Sequence, residues 1–583
     1  LPDQLKKTIS SDVYFIVIKI FWRIVCYLSA CNPKDMKKTK PGILFFILIG
    51  AFSVLKAQPS KEIKPKLVVG IVIDQMRADY IYRYYDLLGE DGFKKLIQQG
   101  FNCKNTNFNY VPTYTGPGHA SIFTGTTPAV NGIISNNWYV RSTGRMTYVT
   151  ADPEATIVGS TSENVGHMSP KHLLSSTITD ELRMFTNRRS KVIGVALKDR
   201  SAILPAGHLS NGSFWFDDAT GNFVTSSFYM DEIPSWIKKF NKRKLPEKYL
   251  SAPWKPLYPL EKYTASAPDD NPYEGLFPGE TKPVFPHMLP AMYSDTDYGI
   301  LRYSPGGNTI TKDLAIAAIE GEKLGNDQFT DFLTVSFSST DYVGHLAGPQ
   351  SVELEDMYLR LDKDIADLLS YLEKKFGKNG FLVFLTADHG ASYVPAQLMD
   401  LKMPAGYFTN KTLIDSLQSF LQRKHGNGKW VSSFINQQIY LNHKLMEKNE
   451  VELDDLQDEV ANYVLRFEGV SNAWPGYLLN QSSFNLTPET SVQNGYYIKR
   501  SGDVSVMFAP NWISHPSKTG TTHGTGYSYD THVPLLWYGW HIPVGETADL
   551  ISIMDIAPTI SMLLNIPFPN GTRGQPIDAI VEQ

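Results

Sequence analysis

Residues 66–74 read Lys-Leu-Val-Val-Gly-Ile-Val-Ile-Asp. Lys66–Ile73 is a continuous, largely β-branched apolar run that stops at Asp74. Two later stretches repeat the pattern. Phe332–Phe337 (FLTVSF) is followed by Ser338-Ser339-Thr340-Asp341, and Phe381–Leu385 (FLVFL) by Thr386-Ala387-Asp388-His389-Gly390. Unbroken apolar runs, rather than alternating ones, mark strands covered on both faces, as in parallel sheets between helices. Val352–Lys375 lies between two of these runs. It carries Leu354, Met357, Leu361, Ile365, Leu368, Leu369 and Leu372 at helical spacing, which predicts a long helix with a core-facing stripe. The chain therefore reads as an α/β fold with an open, largely parallel sheet. In such sheets ligands bind beyond the carboxyl ends of the strands, where all three runs turn polar.

The 583 residues are 42% hydrophobic, 12% aromatic and 20% charged. That is enough apolar material for a large core, and it excludes a mainly disordered, collagenous or disulfide-dense chain. The net charge of −4 gives no sign of a nucleic-acid-binding module. Trp215–Pro286 is rich in aromatics, Pro, Asp and Lys with little periodicity, and reads as an irregular insertion over the sheet. Inserted cap segments are expected near residues 215–300 and 391–522.

The N-terminal residues read separately. Met36 precedes Lys37, Lys38 and Lys40, an apolar run from Ile43 to Leu55, and Lys56-Ala57-Gln58. This order describes a secretory signal peptide over 36–57, cleaved after Ala57. The run is shorter than the roughly 20 residues of a membrane span, so cleavage would leave no stable anchor; a retained N-terminal anchor is the alternative. Residues 1–35 then read as an upstream extension outside the mature protein, and 58–583 as the catalytic domain. Removing 1–57 takes away nine Lys/Arg and three Asp/Glu, leaving a net charge of −10 and a single cysteine, Cys103. An exported, disulfide-free protein fits the periplasm or outer surface of a bacterium.

Four motifs carry chemistry. Asp341-Tyr-Val-Gly-His345 places two metal-ligating side chains one helical turn apart. Asp388-His389-Gly390 follows a strand, where the glycine favours a turn. His523 lies in Thr521-Thr-His-Gly-Thr-Gly526, a loop whose backbone can approach a site closely. In Tyr114-Thr-Gly-Pro-Gly-His-Ala-Ser121, Pro117 suits the first turn of a helix, and Thr115 would stand just before it, near free N–H groups that suit a phosphoryl group. Each alone reads equally as a surface pair, a loop histidine or a helix cap. Together, Asp74, Asp341, His345, Asp388, His389 and His523 surround one hydroxyl. Two Zn²⁺ about 4 Å apart can activate a hydroxyl and stabilise the leaving oxygen of an in-line displacement. The same ligands also accept Mn²⁺ or Co²⁺.

This ordered set resembles the alkaline phosphatase superfamily, most closely its secreted PafA-type bacterial members. The resemblance runs from Val72–Tyr80 to His523–Leu535 and implies an alkaline-phosphatase-like sandwich, a central sheet flanked by helices. It implies that Asp341, His345 and His523 hold one zinc, and that Asp74, Asp388 and His389 hold the other beside Thr115. Thr115 would be the nucleophile, itself touching metal, and would form a covalent phosphothreonine. It further implies that Asn136, Lys198 and Arg200 contact the phosphoryl oxygens, with Lys198 in place of a third, Mg²⁺ site. The enzyme would be a monomer releasing inorganic phosphate from small phosphate monoesters. Lys198 and Arg200 follow the strand-like Val192–Leu197, and alternation would point both the same way. Cations opposite the extra negative oxygen of a monoester favour it over a diester.

Three alternatives are weighed against this. A nucleotide pyrophosphatase or phosphodiesterase of the same superfamily shares the metal ligands, the threonine and the asparagine, but not the Lys198/Arg200 pair. A sulfatase needs a Cys or Ser in C/S-x-P-x-R, which Ser514-His-Pro-Ser-Lys518 does not complete. A non-catalytic zinc protein is disfavoured by a ligand set without cysteine. His119, Asp79, Arg77 and His532 read as structural.

Overall fold

The computed structural model describes residues 64–162, 165–485 and 488–582. The expected upstream extension, 1–35, and the expected signal peptide, 36–57, lie outside the described residues. Among the described residues no helix is long and apolar enough to cross a membrane.

Four strands make the middle of an eleven-stranded sheet: β1 (Leu67–Ile73), β2 (Val192–Ala196), β3 (Asp331–Phe337) and β4 (Phe381–Thr386). They lie side by side in the order β4-β1-β3-β2, all parallel, and every residue in them is buried. The expected α/β architecture with a largely parallel sheet is thus what these apolar runs build. Burial on both faces removes the reason for polar alternation. Beyond β4 the sheet continues with antiparallel Leu535–Gly539; beyond β2 it continues with parallel Gly212–Asp217.

Helices cover the sheet. Those that shape the site are α1 (Thr115–Thr124), α2 (Asp199–Ala206), α3 (Ser339–Ala347) and α4 (Val352–Phe376). The Ser351 hydroxyl caps α4 by accepting from the Leu354 N–H. The expected stripe from Leu354 to Leu372 is buried in the main core. Each such side chain contributes about 1.5–3 kcal/mol by leaving water.

Three local expectations are corrected. Trp215 does not open an irregular insertion: Gly212–Asp217 and Asn222–Ser226 form an antiparallel hairpin within the central sheet. Its aromatic residues, Phe214, Trp215, Phe216 and Phe223, are buried core, which is why they masked the strand pattern. Thr115 is the first residue of α1, and Tyr114 is the residue before it. Lys198 and Arg200 are not strand neighbours, because β2 ends at Ala196; Lys198 is the N-terminal cap position of α2 and Arg200 lies in its first turn.

A separate four-stranded antiparallel sheet lies within residues 431–508, in the order Val431–Ile435, Gln438–Leu441, Val504–Phe508, Val470–Pro475. It has its own apolar core, including Leu413, Leu417, Leu421, Trp430, Val460 and Val464. Its first hairpin turns at Asn436-Gln437, both with positive φ, as a two-residue hairpin turn with right-handed strand twist requires.

Asp364 on α4 is almost fully buried and accepts from the Thr309 hydroxyl at 3.0 Å. Burial pushes its carboxyl up to about 7, against the pull of the Lys312 ammonium. The folded protein thus holds a proton here that the unfolded chain, titrating near about 4, gives up. The stability tied to this group should be present in full below about pH 4 and lost as the pH rises to about 7. Asp364→Asn should flatten that part of the urea midpoint-versus-pH curve; an unchanged slope would contradict the assignment.

Candidate active site

The carboxyl ends of β1, β3 and β4 deliver the acids to one place. Asp74 follows β1 directly; β3 leads into α3, with Asp341 in its first turn and His345 one turn on; β4 leads into Asp388 and His389. α1 starts at Thr115 beside them, and β2 hands Lys198 and Arg200 to the same end of the sheet. His523 arrives on the loop before the short helix Ser528–Thr531. Glycine makes the closest approach possible: a Cβ on Gly118 of α1 would lie 2.3 Å from the Asp388 carbonyl oxygen.

All ten residues picked out from the sequence lie in this region, and each finds a neighbour among the others or beside them. Asp341, His345 and His523 can bring one ligand atom each within a 4.8 Å cluster, and Asp74, Asp341 and His389 form a second. Asp341 is thus shared. Asp388, expected in the second group, reaches it more loosely, with its Oδ2 3.6 Å from His389 Nε2. The Lys198 ammonium donates to Asp74 Oδ2 at 2.7 Å and to Asp341 Oδ2 at 2.5 Å. Thr115 Oγ1 lies 3.5 Å from His389 Nε2 and 3.5 Å from Arg200 Nη2. Asn136 Oδ1 accepts from the Gly116 N–H at 2.7 Å. That contact turns the amide so that its Nδ2 is a donor beside the start of α1.

The imidazoles are oriented alike. Each places its Nδ1 on a backbone carbonyl: His345 on Thr521 at 2.8 Å, His389 on Gly390 at 2.9 Å, His523 on Thr113 at 2.7 Å. Nδ1 therefore carries the proton and Nε2 the lone pair, aimed at the acids, as in histidines that ligate metal. His389 and His523 stack with centroids 3.5 Å apart.

Electrostatics sharpen the picture. Burial and the neighbouring Asp341 and Asp388 charges push the Asp74 carboxyl far up, in spite of Lys198. Burial also opposes ionisation of Asp341, but the adjoining His345 and Lys198 outweigh it and hold that carboxyl well below the usual range. For Asp388, burial is outweighed by His389 and by the nearby His119. Burial, then the adjoining histidines His389 and His345, keeps His523 neutral well below its ordinary range. The upward push on Asp74 is the mark of three acids crowded against the Lys198 ammonium and the Arg200 guanidinium. Asp74 Oδ1 and Asp388 Oδ2 accept no hydrogen bond. Buried, unsatisfied carboxylate oxygens together with three imidazole lone pairs are the donor set of a divalent metal site, and these residues fit one.

Three further residues support the site, and of these the sequence singles out only His119, as structural. Gln75, at a positive φ of 63°, donates its Nε2 to Asp341 Oδ1 at 2.7 Å and its N–H to Asp388 Oδ1 at 3.2 Å. His119, one turn after Thr115, bonds the Thr115 carbonyl and the Ser336 hydroxyl, both at 2.9 Å, with its Nδ1 3.3 Å from Asp388 Oδ2. Asp530 accepts from the N–H groups of Gly524 and Thr525 and from the Thr525 hydroxyl, fixing the His523 loop. The i, i+4 spacing from Thr115 to His119 was a usable signal; the other two had none. Arg77 pairs with Asp79, and His532 bonds the Lys104 carbonyl.

Residues 68–532 match the type I phosphodiesterase / nucleotide pyrophosphatase family, and the chain belongs to it. Within the alkaline phosphatase superfamily it is of the PafA type. It is 44% identical to alkaline phosphatase PafA of Elizabethkingia meningoseptica over 91% of this chain and 97% of that one. It is 45% identical, over 91% of this chain and 97% of the other, to a Myroides odoratus protein named calcium-transporting ATPase. A crystal structure of alkaline phosphatase PafA superposes with a TM-score of 0.86 at 44% identity, covering 89% of this chain and 99% of that chain.

His345→Ala and His523→Ala each remove one imidazole from the first ligand group. Each should weaken divalent-metal binding by about tenfold or more, read by elemental analysis after dialysis against a metal buffer. Wild-type metal content in both variants would contradict the assignment.

Proposed function

We propose that this chain is an exported, zinc-dependent phosphomonoesterase working through a covalent phosphothreonine on Thr115. One observation carries the reading: a buried hydroxyl at the start of a helix has an imidazole nitrogen and a guanidinium each 3.5 Å away, beside two groups of metal-ligating side chains. The PafA relative's name agrees with it.

Asp341, His345 and His523 would hold one Zn²⁺, and Asp74, Asp388 and His389 the second, next to Thr115. The two ions would supply Lewis acidity and positive charge at both ends of an in-line displacement. No third, Mg²⁺ site is part of this proposal, since the Lys198 ammonium bridges Asp74 and Asp341. The protein's own groups do the rest. Asn136, its Oδ1 held by the Gly116 N–H, offers its amide nitrogen to a phosphoryl oxygen at the start of α1. Arg200 neutralises the oxygens beside Thr115, and Lys198 adds a buried positive charge behind them. Thr115 Oγ1 forms a bond to phosphorus as the ester oxygen–phosphorus bond breaks, and an alcohol leaves. Water then attacks the phosphothreonine, releasing phosphate and restoring the hydroxyl. Substrates are small phosphate monoesters met by a monomer. The 36–57 signal and a chain keeping only the buried, unpaired Cys103 accord with the periplasm or secretion.

A second reading is favoured by the matched family's description, a phosphodiesterase or nucleotide pyrophosphatase. The Lys198/Arg200 pair separates the two. For the metal-loaded protein, kcat/KM for an aryl phosphate monoester should exceed that for the matching diester by several orders of magnitude. Lys198→Ala/Arg200→Ala should lower the monoester value by about a hundredfold or more and the diester value far less. A diester preference in the wild type would move the chain to the second reading.

A further inference from the structure

A pocket of about 190 Å³ opens beside the site. His523 lines it, and so does Tyr114, the residue immediately before Thr115. The Tyr114 ring meets the His523 ring edge-on at 5.2 Å. The pocket therefore adjoins the ligand cluster at His523, which belongs to the group with Asp341 and His345.

Its far wall comes from the second sheet and its neighbours. Phe508 and Trp512 supply aromatic surface, Ile435 and Ile513 aliphatic surface, and Asn410, Asn436 and Gln437 neutral amides. Among the described residues, no Asp, Glu, Lys or Arg lines it. The wall is pinned at three points. Asn436 Nδ2 donates to the Asn137 carbonyl at 2.6 Å, next to Asn136. Gln437 Nε2 donates to the Gly524 carbonyl at 2.9 Å, next to His523. At the mouth, the exposed Ser514 hydroxyl donates to Asn410 Oδ1 at 3.0 Å. Trp512 is itself seated over Gly469, where a Cβ would lie 2.1 Å from the indole. The aromatic wall is thus held in place before any ligand arrives.

We infer that this pocket receives the organic group of the ester and selects a planar aromatic leaving group. The inference rests on the phosphomonoesterase reading. Position makes it a site for the ester's organic group, because its wall joins His523 of the ligand group to Tyr114, the residue before the nucleophile. Chemistry makes it aromatic-selective: ring faces and neutral amides surround a volume slightly above the roughly 150 Å³ of a cavity that holds one benzene ring. A carboxylate-bearing or cationic group would lose its hydration there without gaining a partner of opposite charge.

The test uses the metal-loaded protein and two non-hydrolysable probes, phenylphosphonate and methylphosphonate, with inorganic phosphate as reference, all by calorimetry. Phenylphosphonate should bind about tenfold more tightly than methylphosphonate, roughly 1.4 kcal/mol. Trp512→Ala should reduce that ratio to about two or less while leaving phosphate affinity within about twofold. Because Trp512 also packs on Gly469, Ser514→Trp at the exposed mouth serves as a second variant. It should narrow the entrance and lower phenylphosphonate affinity alone. Equal binding of the two phosphonates by the wild type, or an unchanged ratio in both variants, would overturn the pocket assignment. Failure of all three probes, phosphate included, would instead overturn the phosphomonoesterase reading beneath it.

Discussion

Asp74, Asp341 and Asp388 are buried close together, cut off from water, with one ammonium between two of them. Like charges at such range, without solvent, oppose folding unless cations answer them. Much of the surrounding structure can be understood as that answer. Lys198 bridges two of the acids, His345 pairs with Asp341 at 3.1 Å, and His119 stands against Asp388. Even so, Asp74 and Asp388 each retain an oxygen with no hydrogen-bond partner. The remaining charge deficit is what divalent metal would fill.

The parallel sheet is the frame that makes the cluster possible. Four adjacent parallel strands end at the same edge, so residues far apart in sequence converge without long loops. Small residues then let other elements close in. Gly118 allows α1 to press against the Asp388 backbone, and Gly344 makes room for the Gln75 amide, where a Cβ would meet its oxygen at 2.0 Å. The second sheet adds a different function. Its Asn436-Gln437 turn ties the Asn136 side of the site to the His523 loop, so the acceptor and donor sides share one brace.

Much of this was legible in the sequence, for a physical reason. A strand buried on both faces has to be apolar throughout, and its sudden polar ending then stands out; Asp74, Asp341 and Asp388 are all found that way. Where that logic fails, so did the reading. The hairpin of Gly212–Asp217 and Asn222–Ser226 hides beside an aromatic-rich stretch, because its rings serve the core rather than a cap. Lys198 and Arg200 reach one site from a helix start instead of from strand alternation, a distinction that local pattern does not carry. Gln75 bonds two of the acids from a left-handed backbone conformation that no composition rule anticipates.

On the mechanism proposed above, Thr115 carries the phosphoryl group during turnover. Metal-loaded protein mixed with substrate, or with inorganic phosphate, and quenched in acid can be digested and its peptides sequenced by mass spectrometry. The expected result is a phosphorylated peptide with the modification on Thr115, absent from Thr115→Ala. Hydrolysis of monoesters at the wild-type rate by Thr115→Ala, or phosphate trapped on a different residue, would contradict it.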